Sequence, residues 1–350
     1  MIKVVYILIF FSFVSVTSWL EKCNPAEEPY SICGIPEDTI VLNTQAEVDS
    51  FQLSLPTGCN CFLGMIKLQG NKINDVSKLS FLRGVGHLEF LQFTSQSELT
   101  GFDKLDTVYH SLKISSSRFK EIDGFHNLRY IGEYVVFSRL ENTESITGFE
   151  KLLSCTNLVV SSNPHLTTLR AFQNLKMVKM SLNFSNNDNL GLIEGFHNLD
   201  TINGSLNFRE NHTLHNISGF EKLVSADNIT IKNNQKMVQV EGFVSFKNGK
   251  SLSISDNSSL ESIEGFSNLE KIEQFGLFLN NNPKLTSIRG LSDVQKINST
   301  IEIQNNGSLK TCCPLFPAIQ KLSADTKVAI SNNGSGCLSR EEILAGGKCE

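Results

Sequence analysis

The hydrophobic residues of this chain recur with one period over most of its length. A glycine followed by phenylalanine, or a close variant of this pair, occurs at Gly101, Gly124, Gly148, Ala171, Gly195, Gly219, Gly242, Gly265 and Gly290, in steps of 23 to 25 residues. Each unit follows the frame G-F-x-x-L-x-x-I, then L-x-I, then an Asn, then L-x-x-I. A period of this length is typical of solenoids, in which each repeat packs only on its neighbours.

The L-x-I segment of each unit predicts one short β-strand with a single buried face, because its apolar residues alternate. The pairs are Leu112/Ile114, Leu158/Val160, Leu182/Phe184, Leu206/Phe208, Ile229/Ile231, Leu252/Ile254 and Ile301/Ile303. A strand that recurs once per unit stacks on its copies as a parallel sheet, and helices have no important part in this pattern. We therefore predict an all-β, right-handed parallel β-helix or solenoid of about 10–11 coils. A leucine-rich-repeat horseshoe is the alternative, because the L-x-I-x-x-N run also resembles the strand of such repeats.

One asparagine per unit keeps the same register as the strands. These residues are Asn163, Asn187, Asn211, Asn234, Asn257, Asn282 and Asn306. An asparagine at a bend can turn inward and satisfy backbone groups left open there, and stacked copies then form a hydrogen-bonded ladder. Turn residues that face the solvent are the alternative, since turns also favour asparagine. The strict register favours the ladder.

The N-terminal residues have the three parts of a secretory signal: Lys3, an apolar run from Val4 to Val16, and small residues up to Ser18. The run is shorter than the roughly 20 residues that span a bilayer. We predict a signal peptide at 1–18, a cysteine-containing N-terminal cap and first coil at 19–77, the repeat array at 78–311, and a cysteine-containing C-terminal cap at 312–350. The protein is then expected to be secreted and extracellular, at the cell surface or in the matrix, without a membrane span.

Eight of the nine cysteines lie in two groups at the ends of the predicted mature chain: Cys23, Cys33, Cys59 and Cys61, and Cys312, Cys313, Cys337 and Cys349. An oxidising compartment favours disulfides, with the connectivity left open. The alternative is a zinc site, but the spacings within Cys59–Cys61 and Cys312–Cys313 are too short for zinc knuckles. Cys155 occupies a position where other units carry Val or Ile, so we predict a buried free thiol.

The composition argues against two classes of function. A net charge of −5 and a pI near 5.9 argue against a nucleic-acid partner. The acidic residues are spread at about one per unit next to the corners, as with Glu150 and Glu221, and do not form the clustered carboxylates of a glycosidase. His212 and His215 are read as turn residues and not as metal ligands. We therefore predict no enzyme activity, no cofactor and no metal site.

Nine Asn-x-Ser/Thr sequons occur, and the ladder divides them into two groups. Asn211, Asn257, Asn306 and Asn333 fall in the ladder register and are expected to point inward. The glycosylation candidates are the other five: Asn183, Asn203, Asn216, Asn228 and Asn298.

The frame G-F-x-N-L-x-x-I-x-G-S-L-x-F-x-x-N-x-x-L resembles the receptor L-domain, the leucine-rich right-handed β-helix of insulin and epidermal growth factor receptor ectodomains. The stretches 39–51, with Cys59 and 73–79, and 330–337, with 341–343 and Cys349, resemble the caps of secreted bacterial and protist proteins with L-domain-like repeats. The resemblance covers nearly the whole predicted mature chain. Receptor signalling is not implied, because the sequence shows no cysteine-rich domain between two L-domains, no transmembrane helix and no kinase.

Two functions fit these expectations. The first is a secreted, non-catalytic recognition or adhesion protein whose long sheet face binds an extracellular protein or glycan. The second is a structural component of an extracellular matrix or cell coat. The outward strand positions are Lys113, Val136, Val159, Asn183, Asn207, Thr230, Ser253 and Glu302. Their variety favours a specific binder over a scaffold, and it argues against a flat ice- or crystal-binding array.

Overall fold

A computed structural model describes residues 30–94, 98–323 and 325–347. The predicted signal peptide, Cys23 and Cys349 lie outside these residues. Within them, the chain is an all-β parallel solenoid of about twelve turns with few helices. This confirms the predicted fold class, and the leucine-rich-repeat alternative is compatible with the same architecture.

The strands of the described residues follow the repeat of the sequence. They are β1 Ile32–Cys33, β2 Thr39–Leu42, β3 Cys61–Gln69, β4 Gly84–Leu91, β5 Glu98–Leu99, β6 Thr107–Val108, β7 Leu112–Ser115, β8 Glu121–Ile122, β9 Tyr130–Ile131, β10 Tyr134–Ser138, β11 Ser145–Ile146, β12 Ser154–Ser161, β13 Thr168–Leu169, β14 Met177–Ser185, β15 Leu192–Ile193, β16 Thr201–Arg209, β17 Ser225–Lys232, β18 Gln239–Val240, β19 Asn248–Ser255, β20 Ser262–Ile263, β21 Lys271–Asn280, β22 Lys296–Ile297, β23 Thr300–Gln304 and β24 Lys327–Ser331.

Seventeen of these strands form one main sheet, in which every pairing is parallel and joins a strand to its copy one coil away. The second apolar pair of each unit forms a narrower wall, with β5, β8, β11, β13 and β15 in one small sheet and β18 and β20 in another. The inward residues of β14, Leu182 and Phe184, pair in register with Leu206 and Phe208 of β16, and all four are fully buried. The alternation that predicts the strands therefore sets the core.

The coil number is higher than the 10–11 expected from the repeats. The N-terminal cap adds β1 and β2, which both pair with β3, and the C-terminal cap adds β24, which pairs with β23. These strands lie outside the Gly-Phe frame, so counting that frame missed them. The physical reason is that a parallel sheet can continue wherever an apolar alternation fits, as in the Thr39–Leu42 and Lys327–Ser331 segments.

Phenylalanine at the corner fills the core in a continuous column. The rings of Phe102, Phe125, Phe149, Phe172, Phe196, Phe220, Phe243 and Phe266 stack on one another with centroid separations of 4.9 to 5.7 Å. Strand phenylalanines such as Phe208 meet this column edge-on, 5.6 Å from Phe220. Gly195 shows why the corner needs a small residue: its φ is +120°, and a Cβ there would lie 1.8 Å from the carbonyl oxygen of Ala171.

Helices occur at the ends. Helix α1, Gln45–Ser54, begins at a capping box formed by Thr44 and Glu47. Helices α2, Phe316–Gln320, and α3, Arg340–Gly346, lie in the C-terminal segment, and short 3₁₀ turns occur at Ser77–Leu79, Arg289–Leu291 and Cys313–Leu315. Among the described residues, no helix has the length and apolar character needed to cross a membrane.

Candidate recognition face and asparagine ladder

Eight asparagines form a buried hydrogen-bonded ladder along the solenoid: Asn163, Asn187, Asn211, Asn234, Asn257, Asn282, Asn306 and Asn333. Each Oδ1 accepts the backbone N–H of the ladder residue one coil earlier, at 2.9 to 3.2 Å. Each Nδ2 donates to a strand carbonyl of the preceding coil, as Asn187 does to Val160 at 2.9 Å. The side-chain amide therefore satisfies both a donor and an acceptor that the bend would leave unpaired.

A local backbone conformation places each ladder residue. The residue immediately before it is in the left-handed region, with φ between +50° and +60°, in every coil from Gln92 to Asn332. Its occupants are Gln92, Ser116, Arg139, Ser162, Asn186, Glu210, Asn233, Asp256, Asn281, Asn305 and Asn332. This single left-handed residue ends the strand and turns the next side chain inward.

The ladder position is occupied differently in the N-terminal coils. Leu140 donates its backbone N–H to Asn163 Oδ1 at 3.1 Å but has no amide of its own. Ser117 replaces the amide with its hydroxyl, which accepts the N–H of Phe93 and donates to the carbonyl of Ser115. The amide ladder thus begins at Asn163 and runs toward the C-terminus.

Two further rows of asparagine lie at the surface and were missed in the sequence. In the corner row, Asn127, Asn174, Asn198 and Asn268 each donate to a backbone carbonyl of the preceding coil, at 2.6 to 2.8 Å. In the left-handed row, Asn332 donates to Asn305 and Asn305 to Asn281. The N of the G-F-x-N-L frame was the available signal for the first row, although this position is asparagine in only some of the coils and lysine or serine in others, such as Lys151 and Ser245.

The outward side chains of the main sheet form what we call the outer face. Its central row is Val41, Lys67, Glu89, Lys113, Val136, Val159, Asn183, Asn207, Thr230, Ser253, Phe278, Glu302 and Ala329. The second row is Gln69, Leu91, Ser115, Ser138, Ser161, Ser185, Arg209, Lys232, Ser255, Asn280, Gln304 and Ser331, two residues further along each strand. Inward positions are apolar from coil to coil, and the central row varies in residue type. The second row varies less, because six of its twelve positions are serine, four of them in consecutive coils from Ser115 to Ser185.

The outer face is basic in its middle part. Between Glu89 and Glu302, neither row contains a carboxylate, and both rows together contain Lys113, Arg209 and Lys232. Asp256, which follows Ser255 of the second row, lies 3.5 Å from Lys232 Nζ. The chain as a whole has a net charge of −5, so the carboxylates are concentrated on other parts of its surface. The rest of this region consists of hydroxyl and amide side chains with a few apolar ones.

Apart from Val41, Leu91 and Ala329 near its two ends, the apolar residues of the outer face form two patches. Val136 and Val159 are in register in the central row, beside Tyr134, which is 45% exposed. The second patch lies on β21, where Phe278 is in the central row and Phe275 is 55% exposed. The expected outward series omitted both phenylalanines, because a bulge in this coil shifts the register.

Four of the seven histidines, His110, His126, His197 and His212, lie within 4 Å of a carboxylate oxygen. His126 Nδ1 lies 3.1 Å from Glu150 and its Nε2 lies 3.5 Å from Asp123; His197 makes the same kind of contact with Glu221 at 3.1 Å. Asp123, His126 and Glu150 are close enough to one another to be considered as a metal site. The two ring nitrogens of His126 face different carboxylates, however, which is the geometry of an imidazolium between two anions.

The protonation of this cluster follows from its contacts. Burial alone would lower the pKa of His126, but the hydrogen bond that its Nδ1–H donates to Glu150 and the charges of Asp123 and Glu150 raise it. Burial alone would raise the pKa of Glu150, but backbone hydrogen bonds, including one from the Gly148 N–H, and the bond to His126 lower it. Both shifts favour the charged pair.

Replacing His126 with alanine should therefore have a pH-dependent effect on stability. The raised pKa of His126 gives stability that is present below pH 6.5 and is lost as the pH rises through the folded-state value. The lowered pKa of Glu150 gives stability that is present above pH 4.5 and is lost under more acidic conditions. We expect a loss below about 1 kcal/mol at pH 5.5, since the pair is partly exposed, and a smaller loss at pH 8.5. Denaturant titrations at the two pH values measure this, and His215→Ala is the control.

The cysteines lie where the two caps begin and end. Cys33 pairs with Cys59 and Cys312 with Cys337, with Cα–Cα distances of 5.9 and 5.1 Å. Cys313 is also disulfide-bonded, and Cys61 is buried with its Sγ 3.6 Å from the Tyr109 hydroxyl. Cys155 is a free cysteine in the core, 1% exposed, and burial raises the pKa of its thiol to about 12. A thiol of this pKa is unreactive at neutral pH.

The structure places the nine sequons in two environments. Asn211, Asn257 and Asn306 are completely buried and Asn333 is 8% exposed, whereas none of the five glycosylation candidates is buried. Asn183 and Asn228 lie on strands of the main sheet. Each of the other three is next to a buried inward residue: Asn203 follows Ile202, Asn298 follows Ile297, and Asn216 precedes Ile217.

Folded protein from a secreting eukaryotic host is expected to carry no glycan at the four ladder sequons. A glycan there would remove an N–H of the amide that the ladder uses and could not fit inside the coil. Glycopeptide mapping measures the occupancy, with the five other sequons as internal comparison. Full occupancy at Asn211 or Asn257 would contradict the ladder.

The fold and the contrast between its two surfaces define a β-solenoid repeat protein. No protein-family profile and no curated protein matches the chain. Among solved structures, a similar chain is that of the crystal structure of a TLR13–ssRNA13 complex, at 15% sequence identity and a TM-score of 0.30, covering 85% of this chain and 54% of that one. This chain thus spans about half of the TLR13 chain, and a likeness at this level gives no information on ligand or activity.

Proposed function

We propose that the protein is a secreted, non-catalytic recognition or adhesion protein that binds an extracellular protein or glycan through its outer face. The observation that carries this proposal is the contrast between the two sides of each strand. Inward positions are uniformly apolar and buried, while the central row changes from Lys113 through Val136 and Asn183 to Phe278. A surface that varies on a constant scaffold is what specific binding requires, and stacked coils make that surface long.

The charges of the outer face favour a partner with acidic groups. Lys113, Arg209 and Lys232 lie in the two rows of this face, which have no carboxylate between Glu89 and Glu302. Lys113 is in register with Glu89, and Lys232 Nζ lies 3.5 Å from Asp256 Oδ2, so the positive charge of this region is partly balanced at its N-terminal end and at Lys232. Electrostatic complementarity steers such a partner to this face and away from the rest of the molecule.

The sequons favour the N-terminal half of the outer face as the binding region. All nine lie between residues 183 and 335, so the coils of Lys113, Val136 and Val159 contain no sequon, and the first one, Asn183, is in register with Val159 in the next coil. This half also contains Tyr134, and tyrosine is enriched at interfaces because its ring is apolar and its hydroxyl forms hydrogen bonds. Tyr134, Val136 and Val159 with the neighbouring polar side chains thus have the arrangement of a protein interface, in which an apolar centre is surrounded by polar residues.

Two of the corner carboxyl groups lack the pKa shift of a glycosidase general acid. General acids of glycosidases have a raised pKa, whereas the pKa values of Glu150 and Glu221 are lowered by their hydrogen bonds to backbone and histidine, which outweigh burial. The L-domain resemblance is consistent with a binding role but adds no residue to it.

A binding screen tests the proposal. Secreted protein is applied to a glycan array and to a library of extracellular domains, together with the double variant Val136→Asp/Val159→Asp. We expect the hits of the wild-type protein to lose at least about tenfold in affinity in the variant, because carboxylates are introduced into the apolar centre. The control variant Glu121→Gln/Ser145→Ala, on the small sheet, should bind as the wild type does. Hits that survive the double variant and are lost in the control would refute the assignment to the outer face.

A structural role in a matrix or coat is the second candidate, and the C-terminal end of the main sheet favours it. Among the described strands, β24 pairs with β23 on one side only. Its inward residues Val328 and Ile330 are half-buried, while Ile301 and Ile303 of β23 are fully buried. An open strand edge can pair with another chain. Sedimentation analysis at increasing concentration tests this, with Ile330→Lys expected to abolish any assembly through β24.

A further inference from the structure

The coil that contains β21 differs from its neighbours by a bulge. Gly249 and Ser251 of β19 are two residues apart, whereas their partners on β21, Ile272 and Gly276, are four apart. The two extra residues lie at the corner before the outer face. They account for the step of 25 residues between Gly265 and Gly290, which is the longest in the array.

The bulge presents Phe275 to solvent. Its side chain is 55% exposed, while twelve other phenylalanines are among the most completely buried large residues of the protein. Gly276 fixes the conformation, because its φ is +122° and a Cβ there would lie 2.1 Å from the carbonyl oxygen of Thr300. Bulges of this kind redirect a side chain at functional positions.

The next coil places a sequon against this bulge. The sequon is Asn298-Ser299-Thr300, and the exposed Asn298 donates its Nδ2 to the carbonyl oxygen of Glu273 at 3.1 Å. Thr300, the last residue of the sequon, is the residue that packs on Gly276. Phe275 therefore lies in sequence between Glu273, which contacts Asn298 at the start of the sequon, and Gly276, which contacts Thr300 at its end.

We propose that Asn298 carries an N-linked glycan whose first sugar packs on the ring of Phe275. A glycosylated asparagine retains one N–H on Nδ2, so the bond to the Glu273 carbonyl can persist and orient the attached sugar over the bulge. The C–H groups of the sugar ring cover the aromatic face, and the glycan thereby shields the largest exposed aromatic surface of this coil. This proposal rests on the proposed function, because N-glycosylation requires secretion. It goes beyond that function by assigning a contact between the glycan and Phe275 of the same chain.

The test uses full-length protein secreted from a eukaryotic host. Native wild-type protein and Phe275→Ala are treated with a peptide N-glycosidase, and the release of glycan from Asn298 is followed by mass spectrometry. We expect release from the wild type to be about two- to tenfold slower, the range that corresponds to an aromatic contact of about 0.5–1.5 kcal/mol. Phe275→Tyr, which keeps the ring, should restore slow release.

Asn203 is the matched control site, because it follows the inward Ile202 as Asn298 follows Ile297. Its release rate should be the same in wild type and Phe275→Ala. The proposal is overturned if Asn298 is unoccupied while Asn203 is occupied, or if release from Asn298 does not depend on Phe275. It is also overturned if Phe275→Ala leaves release unchanged but abolishes binding to a partner found in the screen, since Phe275 then belongs to the binding surface. Failure of the proposed function is a separate result, measured with the Val136→Asp/Val159→Asp variant.

Discussion

Replacement of Asn234 by alanine is expected to destabilise the protein by about 2–6 kcal/mol, since one buried donor and one buried acceptor lose their partner at about 1–3 kcal/mol each. The Oδ1 of Asn234 accepts the backbone N–H of Asn211 at 3.1 Å, and its Nδ2 donates to the Phe208 carbonyl at 3.0 Å. Neither group can reach water, because Asn211, Phe208 and Asn234 are fully buried. Chemical denaturation measures the loss, and hydrogen exchange at the Asn211 amide locates it.

Two variants make this result specific to the ladder. Asn234→Asp retains an acceptor but replaces the Nδ2 donor and places a carboxylate in the core, so it should be at least as destabilising as alanine. Asn207→Ser, in the central row of the outer face, should change stability by less than about 0.5 kcal/mol. A small effect of Asn234→Ala, equal to that of Asn207→Ser, would contradict the energetic role assigned to the ladder.

Replacement of Phe220 by alanine is the second large expected effect, at about 3–5 kcal/mol. The Phe220 ring stacks on Phe196 at 5.2 Å and on Phe243 at 5.7 Å, so its loss opens a cavity and interrupts the column. Urea or guanidinium titration of the variant measures the destabilisation, and hydrogen exchange should show faster opening in the coils on both sides.

Phe275→Ala is the matched control for this variant, because it removes the same side chain from an exposed position. In protein without glycans, we expect it to change stability by less than about 0.5 kcal/mol. If Phe220→Ala and Phe275→Ala lower the free energy of unfolding equally, the stacked phenylalanine column contributes no more to stability than an exposed phenylalanine does.

The fold was predictable because one physical pattern is repeated. Alternation in pairs such as Leu182/Phe184 sets the strand, and the constant spacing sets the parallel register. The structure has about twelve turns, slightly more than the 10–11 expected, because β1, β2 and β24 belong to the sheet but lack the Gly-Phe frame. Periodicity identifies units that share all their features, whereas the sheet needs only apolar alternation and a free edge.

The candidate surface was less predictable than the core. The sequence pattern indicates which residues point outward, but the bulge before Gly276 moves Phe275 and Phe278 to positions that a strict register does not assign. The pairing of His126 with Asp123 and Glu150 joins residues of successive coils, and this depends on side-chain geometry that spacing alone does not give. The identity of the binding partner also depends on the chemistry of the partner's own surface, which this sequence does not contain.

The ladder also limits how this protein can change its length during evolution. Consecutive ladder residues are 23 to 25 apart from Asn163 to Asn306, and the last step, to Asn333, is 27. A duplicated coil brings its own asparagine and continues the chain of amides, whereas a deletion inside the strand or its bend would misplace one amide and leave the neighbouring coils unsatisfied. We therefore expect single insertions and deletions to be tolerated at the corners, as at Phe275, and larger changes in length to add or remove whole coils.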